Sequence, residues 1–140
     1  MSTLIQSAAS GQALQTETIT ITVADDFSGL GAGITSGSKS SGTIPANARF
    51  IGFAMEATVN SDGGFGNPIS WSFGPNGDET AFAFNQQVTI AAPYGTSPTG
   101  WFEGRKLPND FFTVLFDSGG QDLNTYTVGS FTFKLFYFIE

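Results

Sequence analysis

Residues 131–140, Phe131-Thr132-Phe133-Lys134-Leu135-Phe136-Tyr137-Phe138-Ile139-Glu140, form a strongly apolar stretch at the end of the printed sequence. Side chains of a β-strand alternate between its two faces. One face of this stretch is therefore wholly apolar and carries Phe131, Phe133, Leu135, Tyr137 and Ile139. The other face becomes aromatic at Phe136 and Phe138, which an earlier segment or another subunit must cover. A strand that is apolar on both faces is typical of the centre of a sheet, so we expect it in the middle of the core.

The composition of the whole chain is typical of one all-β domain. Its 140 residues include 15 Phe, 18 Gly and many Thr and Ser. No stretch keeps the apolar spacing of an amphipathic helix for three turns. The chain has no cysteine, so burial of apolar side chains must stabilise the fold without disulfides.

The charge balance excludes two classes of partner. Twelve carboxylates and five cations give a net charge of −7. Binding to a nucleic-acid backbone or an anionic membrane needs clustered cations, whereas the five here are scattered along the chain. We therefore expect no nucleic-acid partner and no membrane contact.

Alternation of apolar and polar residues predicts seven or eight short strands. The clearest are residues 17–23, with Ile19, Ile21 and Val23 inward, and residues 49–59, with Ile51 in phase with Phe53. Further strands are predicted at 69–73, 80–84, 87–91, 111–116 and 126–139, with a short one near Leu30 and Ile34. This pattern favours a single β-sandwich, a jelly roll or a related Greek key, over residues 17–140. Residues 1–16, which have only Leu4, Ile5 and Leu14 as large aliphatic residues and no charge, are interpreted as an extended N-terminal arm.

The chain contains few residues of the types that catalysis usually requires. The chain has no histidine, which removes the usual triads and His-ligated zinc. A carboxylate pair can hydrolyse a glycoside, and the candidates for one are Asp78, Glu79, Glu103 and Asp110. In a sandwich of this size we interpret them as solvated loop carboxylates. We therefore expect that the protein is not an enzyme and has no catalytic residue.

Two loops carry oxygen ligands that suit calcium, residues 60–62 and 117–122. Neither has the spacing of the twelve-residue helix-loop-helix calcium loop, and Asp and Asn are ordinary turn residues. We therefore expect no metal site and no cofactor.

Aromatic residues and uncharged stretches indicate where partners bind. Trp71 alternates in phase with Phe73 and is predicted in the core, whereas Tyr94 and Trp101 flank a Pro/Gly-rich loop and are predicted to be partly exposed. No charged residue occurs from Thr80 to Phe102, which is typical of an interface, although a buried strand pair with a polar loop would also explain it. We expect a homo-oligomer, with partner contacts through Leu4, Ile5, Tyr94, Trp101, Phe102, Phe136 and Phe138.

Residues 42–52, Gly-Thr-Ile-Pro-Ala-Asn-Ala-Arg-Phe-Ile-Gly, resemble small β-rich structural proteins of tailed bacteriophages, in which an Ile-Pro-Ala-x-Ala-Arg step opens a long strand. The likeness continues through residues 69–74, 80–83 and 134–139, whereas the polar first 41 residues and the aromatic ending depart from it. The resemblance implies a virion component, such as a capsid decoration (cement) protein, a head fibre or a tail part, and no catalytic residue.

On this resemblance we expect a decoration protein that binds the outside of a phage head. Its partner would be the major capsid protein or another virion protein. We expect a homotrimer at threefold positions, within a virion assembled in the host cytoplasm. The alternative is a carbohydrate-binding module, or a glycan-binding fibre or tail protein, that uses the exposed aromatics Tyr94 and Trp101.

Overall fold

Two antiparallel sheets pack face to face in the computed structural model, which describes residues 13–62, 67–96 and 100–140. The strands within those ranges are β1 (Leu14–Thr22), β2 (Ser36–Ser40), β3 (Ala48–Val59), β4 (Ser70–Pro75), β5 (Ala83–Gln86), β6 (Phe112–Asp117) and β7 (Ser130–Ile139). One helical turn, α1 (Val23–Asp26), follows β1, and a 3-10 turn occupies Leu123–Thr125. The predicted β-sandwich is confirmed.

The last strand lies at the centre of the first sheet, whose order is β1–β7–β3. Phe131, Phe133, Leu135 and Tyr137 are buried, and Ile139, at the end of the strand, is exposed. The prediction of a central, core-forming strand is therefore confirmed.

The second sheet has the order β2–β6–β4–β5 and supplies the other half of the core. Trp71 of β4 is buried, with its ring centre 4.5 Å from that of Phe131 and 5.0 Å from that of Phe133. Phe73 and Phe112 pack beside it at 5.0 Å from each other. The prediction that Trp71 belongs to the core is confirmed.

The strand order is nested as in a jelly roll. The first strand pairs with the last, and the second with the last but one. A jelly roll has eight strands, and the place beside β3 is taken by the connection of residues 87–111. There Tyr94 pairs with Met55 and Lys106 pairs with Arg49, both antiparallel. These pairs cover an edge that would otherwise present free backbone groups.

Five strand predictions differ from the structure. Two differ in extent only, because residues 80–82 precede β5 (Ala83–Gln86) and residues 126–129 precede β7 (Ser130–Ile139). Residues 87–91 form no strand, because the chain leaves the second sheet there and crosses to the edge of β3. The short strand expected near Leu30 and Ile34 lies at Ser36–Ser40, where pairing with β6 compensates for a sequence with no β preference. The first strand begins at Leu14, inside the segment interpreted as an arm, because Leu14 pairs with Phe138.

The prediction that Ile51 lies on the same face of β3 as Phe53 is also wrong. The register of β3 against β7 shifts between Phe50 and Gly52, so Ile51 is an extra residue of a bulge. Phe50 and Phe53 are both buried as a result, and Ile51 is only half-buried.

The buried hydroxyl of Tyr126 links the stability of the core to pH. Its hydroxyl donates a hydrogen bond to the Asn67 carbonyl oxygen, and burial, followed by the nearby charge of Asp62, raises its pKa. The folded state therefore keeps this proton to a higher pH than the unfolded chain does. The resulting stability is present below the unfolded pKa of about 10 and is lost as the pH rises through the folded pKa.

We predict that Tyr126→Phe lowers the melting temperature at neutral pH and that its deficit shrinks as the pH rises above about 10. At neutral pH the variant melts lower because it lacks the hydrogen bond of the hydroxyl. At alkaline pH the two melting temperatures converge, because only the unchanged protein has a Tyr126 hydroxyl whose ionisation favours unfolding. Thermal melts of both proteins across this range measure the effect. A deficit that stays constant with pH would show that this hydroxyl is not held protonated by the fold.

Candidate contact surfaces

The connection of residues 87–111 pairs with β3 at Tyr94 and Lys106 and carries three of the aromatic partner candidates. The Met55 N–H donates to the Tyr94 carbonyl oxygen at 2.8 Å, and the Tyr94 N–H donates back at 2.9 Å. Further along, the Phe50 N–H donates to the Arg105 carbonyl oxygen at 2.8 Å. These bonds fix both ends of the segment that contains Trp101 and Phe102.

Trp101 is buried, and the expectation that it is partly exposed is wrong. Only 9% of its surface is accessible. The pairing of Arg105 with Phe50 draws Trp101 onto the core, where its ring lies edge-on to Phe50 at 5.4 Å and to Phe82 at 5.2 Å. The Arg105 guanidinium carbon lies 4.0 Å from the ring centre, a cation–π contact. Trp101 therefore serves as a packing residue.

Tyr94 and Phe102 remain accessible on the same connection. Tyr94 is half-buried, as expected, with its ring 5.9 Å from that of Phe53. Phe102 is 65% exposed, the largest value among the large apolar side chains of the described residues. Phe84 and Ile90 are also exposed, so the uncharged stretch from 80 to 102 forms apolar surface as well as core.

The outer face of the first sheet has an apolar end. Leu14 and Phe138 are cross-strand partners, and Thr16 and Phe136 form the next pair. Leu14 is exposed and Phe136 is half-buried. Phe138 is only 8% exposed, so it is already covered within one chain, without the second subunit that the sequence had left open. The other two partner candidates, Leu4 and Ile5, lie outside the described residues.

Two of the four carboxylates considered for catalysis, Glu79 and Asp110, stabilise turns through their side chains. Asp110 accepts hydrogen bonds from Asn76 Nδ2 at 2.7 Å and from the Phe111 N–H at 2.9 Å. Glu79 Oε1 accepts one from the Gly77 N–H at 3.2 Å. These bonds are typical of the structural use of carboxylates in turns.

The carboxylates considered for calcium also stabilise loops. Asp62 Oδ2 accepts hydrogen bonds from the Thr127 N–H at 2.9 Å and from Thr127 Oγ1 at 2.8 Å. Asp117 Oδ1 accepts one from the Gly119 N–H at 2.7 Å. Within the described ranges, no group of three or more Asp, Glu, His or Cys side chains is placed to share a metal ion. Among the helices of those ranges, none has the length and apolar character that crossing a bilayer requires.

Comparison with known proteins gives a likeness of fold. No protein-family model and no curated protein matches the sequence. A chain from the capsid asymmetric unit of the cyanophage Pam1 has a similar backbone, with a TM-score of 0.64 and 17% sequence identity. The likeness covers 92% of this chain and 86% of that chain. The protein therefore shares, over nearly its whole length, the fold of a chain from a phage capsid unit.

Proposed function

We propose that this chain is a non-enzymatic structural protein of a phage virion, and more specifically a capsid decoration (cement) protein that binds the outer surface of the head. The observation that carries the proposal is the backbone likeness to a capsid-unit chain over 92% of the sequence, with a TM-score of 0.64. The sequence resemblance at residues 42–52 points to the same class of protein by an independent route.

The residues of that resemblance have a clear structural task, which supports the proposal. Ile44 is fully buried, and its N–H donates to the Asp110 carbonyl oxygen at 2.6 Å. Asn47 has a φ of 64° and turns the chain into β3. The Asn47 carbonyl oxygen accepts the Glu140 N–H at 3.0 Å, and the Arg49 and Glu140 side chains form an ion pair. The step thus ties the start of β3 to the end of β7.

The rival function, sugar binding by Tyr94 and Trp101, fits the geometry less well. A sugar-stacking aromatic must present an open ring face. Phe50, Phe82 and Arg105 enclose the ring of Trp101. Tyr94 is half-buried, with its ring 5.9 Å from that of Phe53, so these two residues support protein contact better than a sugar site.

The proposed contact surface with the capsid consists of Tyr94 and Phe102 together with the apolar end of the first sheet, Leu14 and Phe136. These four side chains are uncharged and three of them are aromatic, as is typical of interface cores. The partner would be the major capsid protein or another virion protein. We further propose a homotrimer at threefold positions of the shell, for which light scattering should give the mass of three chains. A single-chain mass would count against the trimer.

We further propose that the N-terminal arm, through Leu4 and Ile5, contributes to capsid binding, and deletion of residues 2–12 tests this. The deletion stops before Leu14 because Leu14 to Thr16 pair with Phe136 to Phe138 and belong to the sheet. We expect the shortened protein to melt as the full chain does but to bind less tightly to phage particles that lack the chain. Cosedimentation with such particles measures the affinity. Equal binding by both proteins would exclude the arm, and binding by neither would contradict the decoration role.

A further inference from the structure

We propose that the outer face of the second sheet binds a neutral sugar residue of a glycan. The site is a groove of about 350 Å³ on β2, β6, β4 and β5. None of its lining residues belongs to the connection of residues 87–111, so it is separate from the proposed capsid contacts there. Its polar lining consists of Ser36, Ser38, Ser70, Ser72, Thr80, Asn85 and Asp117.

Strand register gathers these residues from distant parts of the sequence. Asp117 on β6 is paired with Ser36 of β2 on one side and with Ser70 of β4 on the other. In the next row, Leu115 is paired with Ser38 and Ser72. Directly paired residues lie on the same face of a sheet. Four serine side chains therefore surround a carboxylate and one aliphatic side chain.

An exposed aromatic residue completes the groove. Phe84, which is 60% exposed, lines it together with Leu115. A hexose ring has C–H groups on its faces and hydroxyls around its rim. The negative face of an aromatic ring attracts such C–H groups, while serine hydroxyls and a carboxylate can bind the rim. The groove offers both kinds of contact at once.

Ser72 contributes a hydroxyl to the lining of the groove. Its side chain is only 5% exposed. Its Oγ accepts the Asn85 N–H at 3.1 Å, but no described residue accepts its hydroxyl proton. The Asn85 N–H supplies the one partner that a buried polar group needs, and the hydroxyl proton of Ser72 remains available to a hydroxyl of a bound sugar.

Asp117 can anchor the same ligand. Its Oδ1 accepts the Gly119 N–H at 2.7 Å, and its Oδ2 makes no hydrogen bond with another described residue. A carboxylate oxygen forms stronger hydrogen bonds with hydroxyls than a neutral acceptor does. Asp117 thus complements the serines.

The charge of the groove favours a neutral ligand. Asp117 is its only charged lining residue. The one cation on these four strands, Lys39, donates instead to the Thr20 carbonyl oxygen at 2.9 Å and to Asp26 Oδ1 at 3.0 Å. Asp117 would repel an acidic sugar or a phosphate, because no cation of the described residues forms an ion pair with it, whereas a neutral hexose would not be repelled.

The test is a titration of the free, isotope-labelled protein, followed by the amide signals in two-dimensional NMR. Glucose, galactose, mannose and N-acetylglucosamine are the probes, with N-acetylneuraminic acid as the anionic comparison. We expect at least one neutral sugar to shift amides of residues 36–38, 70–72, 84–85 and 115–117, and the anionic sugar to leave them unchanged. Because no capsid is present, the result is independent of the virion role.

Two variants assign the binding to the groove. Phe84→Ala should raise the dissociation constant for the sugar about tenfold, because it removes the stacking surface. Val128→Ala, at an exposed residue outside the groove, should bind as the unchanged protein does. The proposal is overturned if no neutral sugar shifts the groove amides, if the shifts lie elsewhere, or if Phe84→Ala binds normally. Shifts that depend on protein concentration without sugar would instead assign the groove to a second copy of the chain.

Discussion

Replacing Trp71 by alanine should lower the free energy of unfolding by about 3–5 kcal/mol. The indole lies between the two sheets, with its ring centre 4.5 Å from that of Phe131 and 5.9 Å from that of Phe116. Its removal loses apolar burial and leaves a cavity that the strands on either side cannot close. Denaturant unfolding followed by circular dichroism measures the loss.

Two further variants make this prediction decisive. Val128→Ala, at an exposed position, should change the free energy of unfolding by no more than about 0.5 kcal/mol. The loss in Trp71→Ala is a large part of the total stability of an ordinary domain, so the milder Trp71→Phe serves if the alanine variant does not fold. A stability close to that of the unchanged protein in both Trp71 variants would contradict the packing of the two sheets around this side chain.

Replacing Phe102 by aspartate should reduce binding to the phage capsid about tenfold or more. Phe102 is the most exposed large apolar side chain of the described residues and lies beside the buried Trp101. A carboxylate there would remove the exposed ring and add a negative charge beside that of Glu103, which is also exposed. Cosedimentation with particles that lack the chain measures the affinity.

Val128→Asp is the matched control for this experiment. Val128 is also exposed, and its carbonyl oxygen accepts the Asp62 N–H at 3.1 Å, which places it near the end of β3 opposite to Phe102. Both aspartate variants should melt close to the unchanged protein, because neither side chain is buried. Equal loss of binding in both would indicate a general charge effect, and unchanged binding by Phe102→Asp would remove this residue from the contact surface.

The features predicted correctly from sequence are those encoded by local alternation. Residues 131–139 repeat an apolar side chain at every second position, so their central place in a sheet follows from the pleat alone. Trp71 shares the phase of its strand and is buried for the same reason. The sandwich follows because such strands recur between turns.

The features that were missed depend on long-range pairing. β2 is Ser-Gly-Ser-Lys-Ser, and only its register with β6 makes it a strand. Trp101 follows a Pro/Gly-rich loop, so the sequence predicts that it is partly exposed. In the structure, the pairing of Arg105 with Phe50 places it in the core. The groove on the second sheet was likewise hidden, since Ser36, Ser70 and Asp117 become neighbours only through the order of three strands.

The proposed function requires that a phage encodes this chain, and the most direct test is quantitative mass spectrometry of the particles of such a phage, purified on a density gradient. A decoration protein should be present in many copies, in a fixed ratio to the major capsid protein, and particles with emptied heads should retain it. Abundance in the lysate combined with absence from purified particles would contradict the assignment.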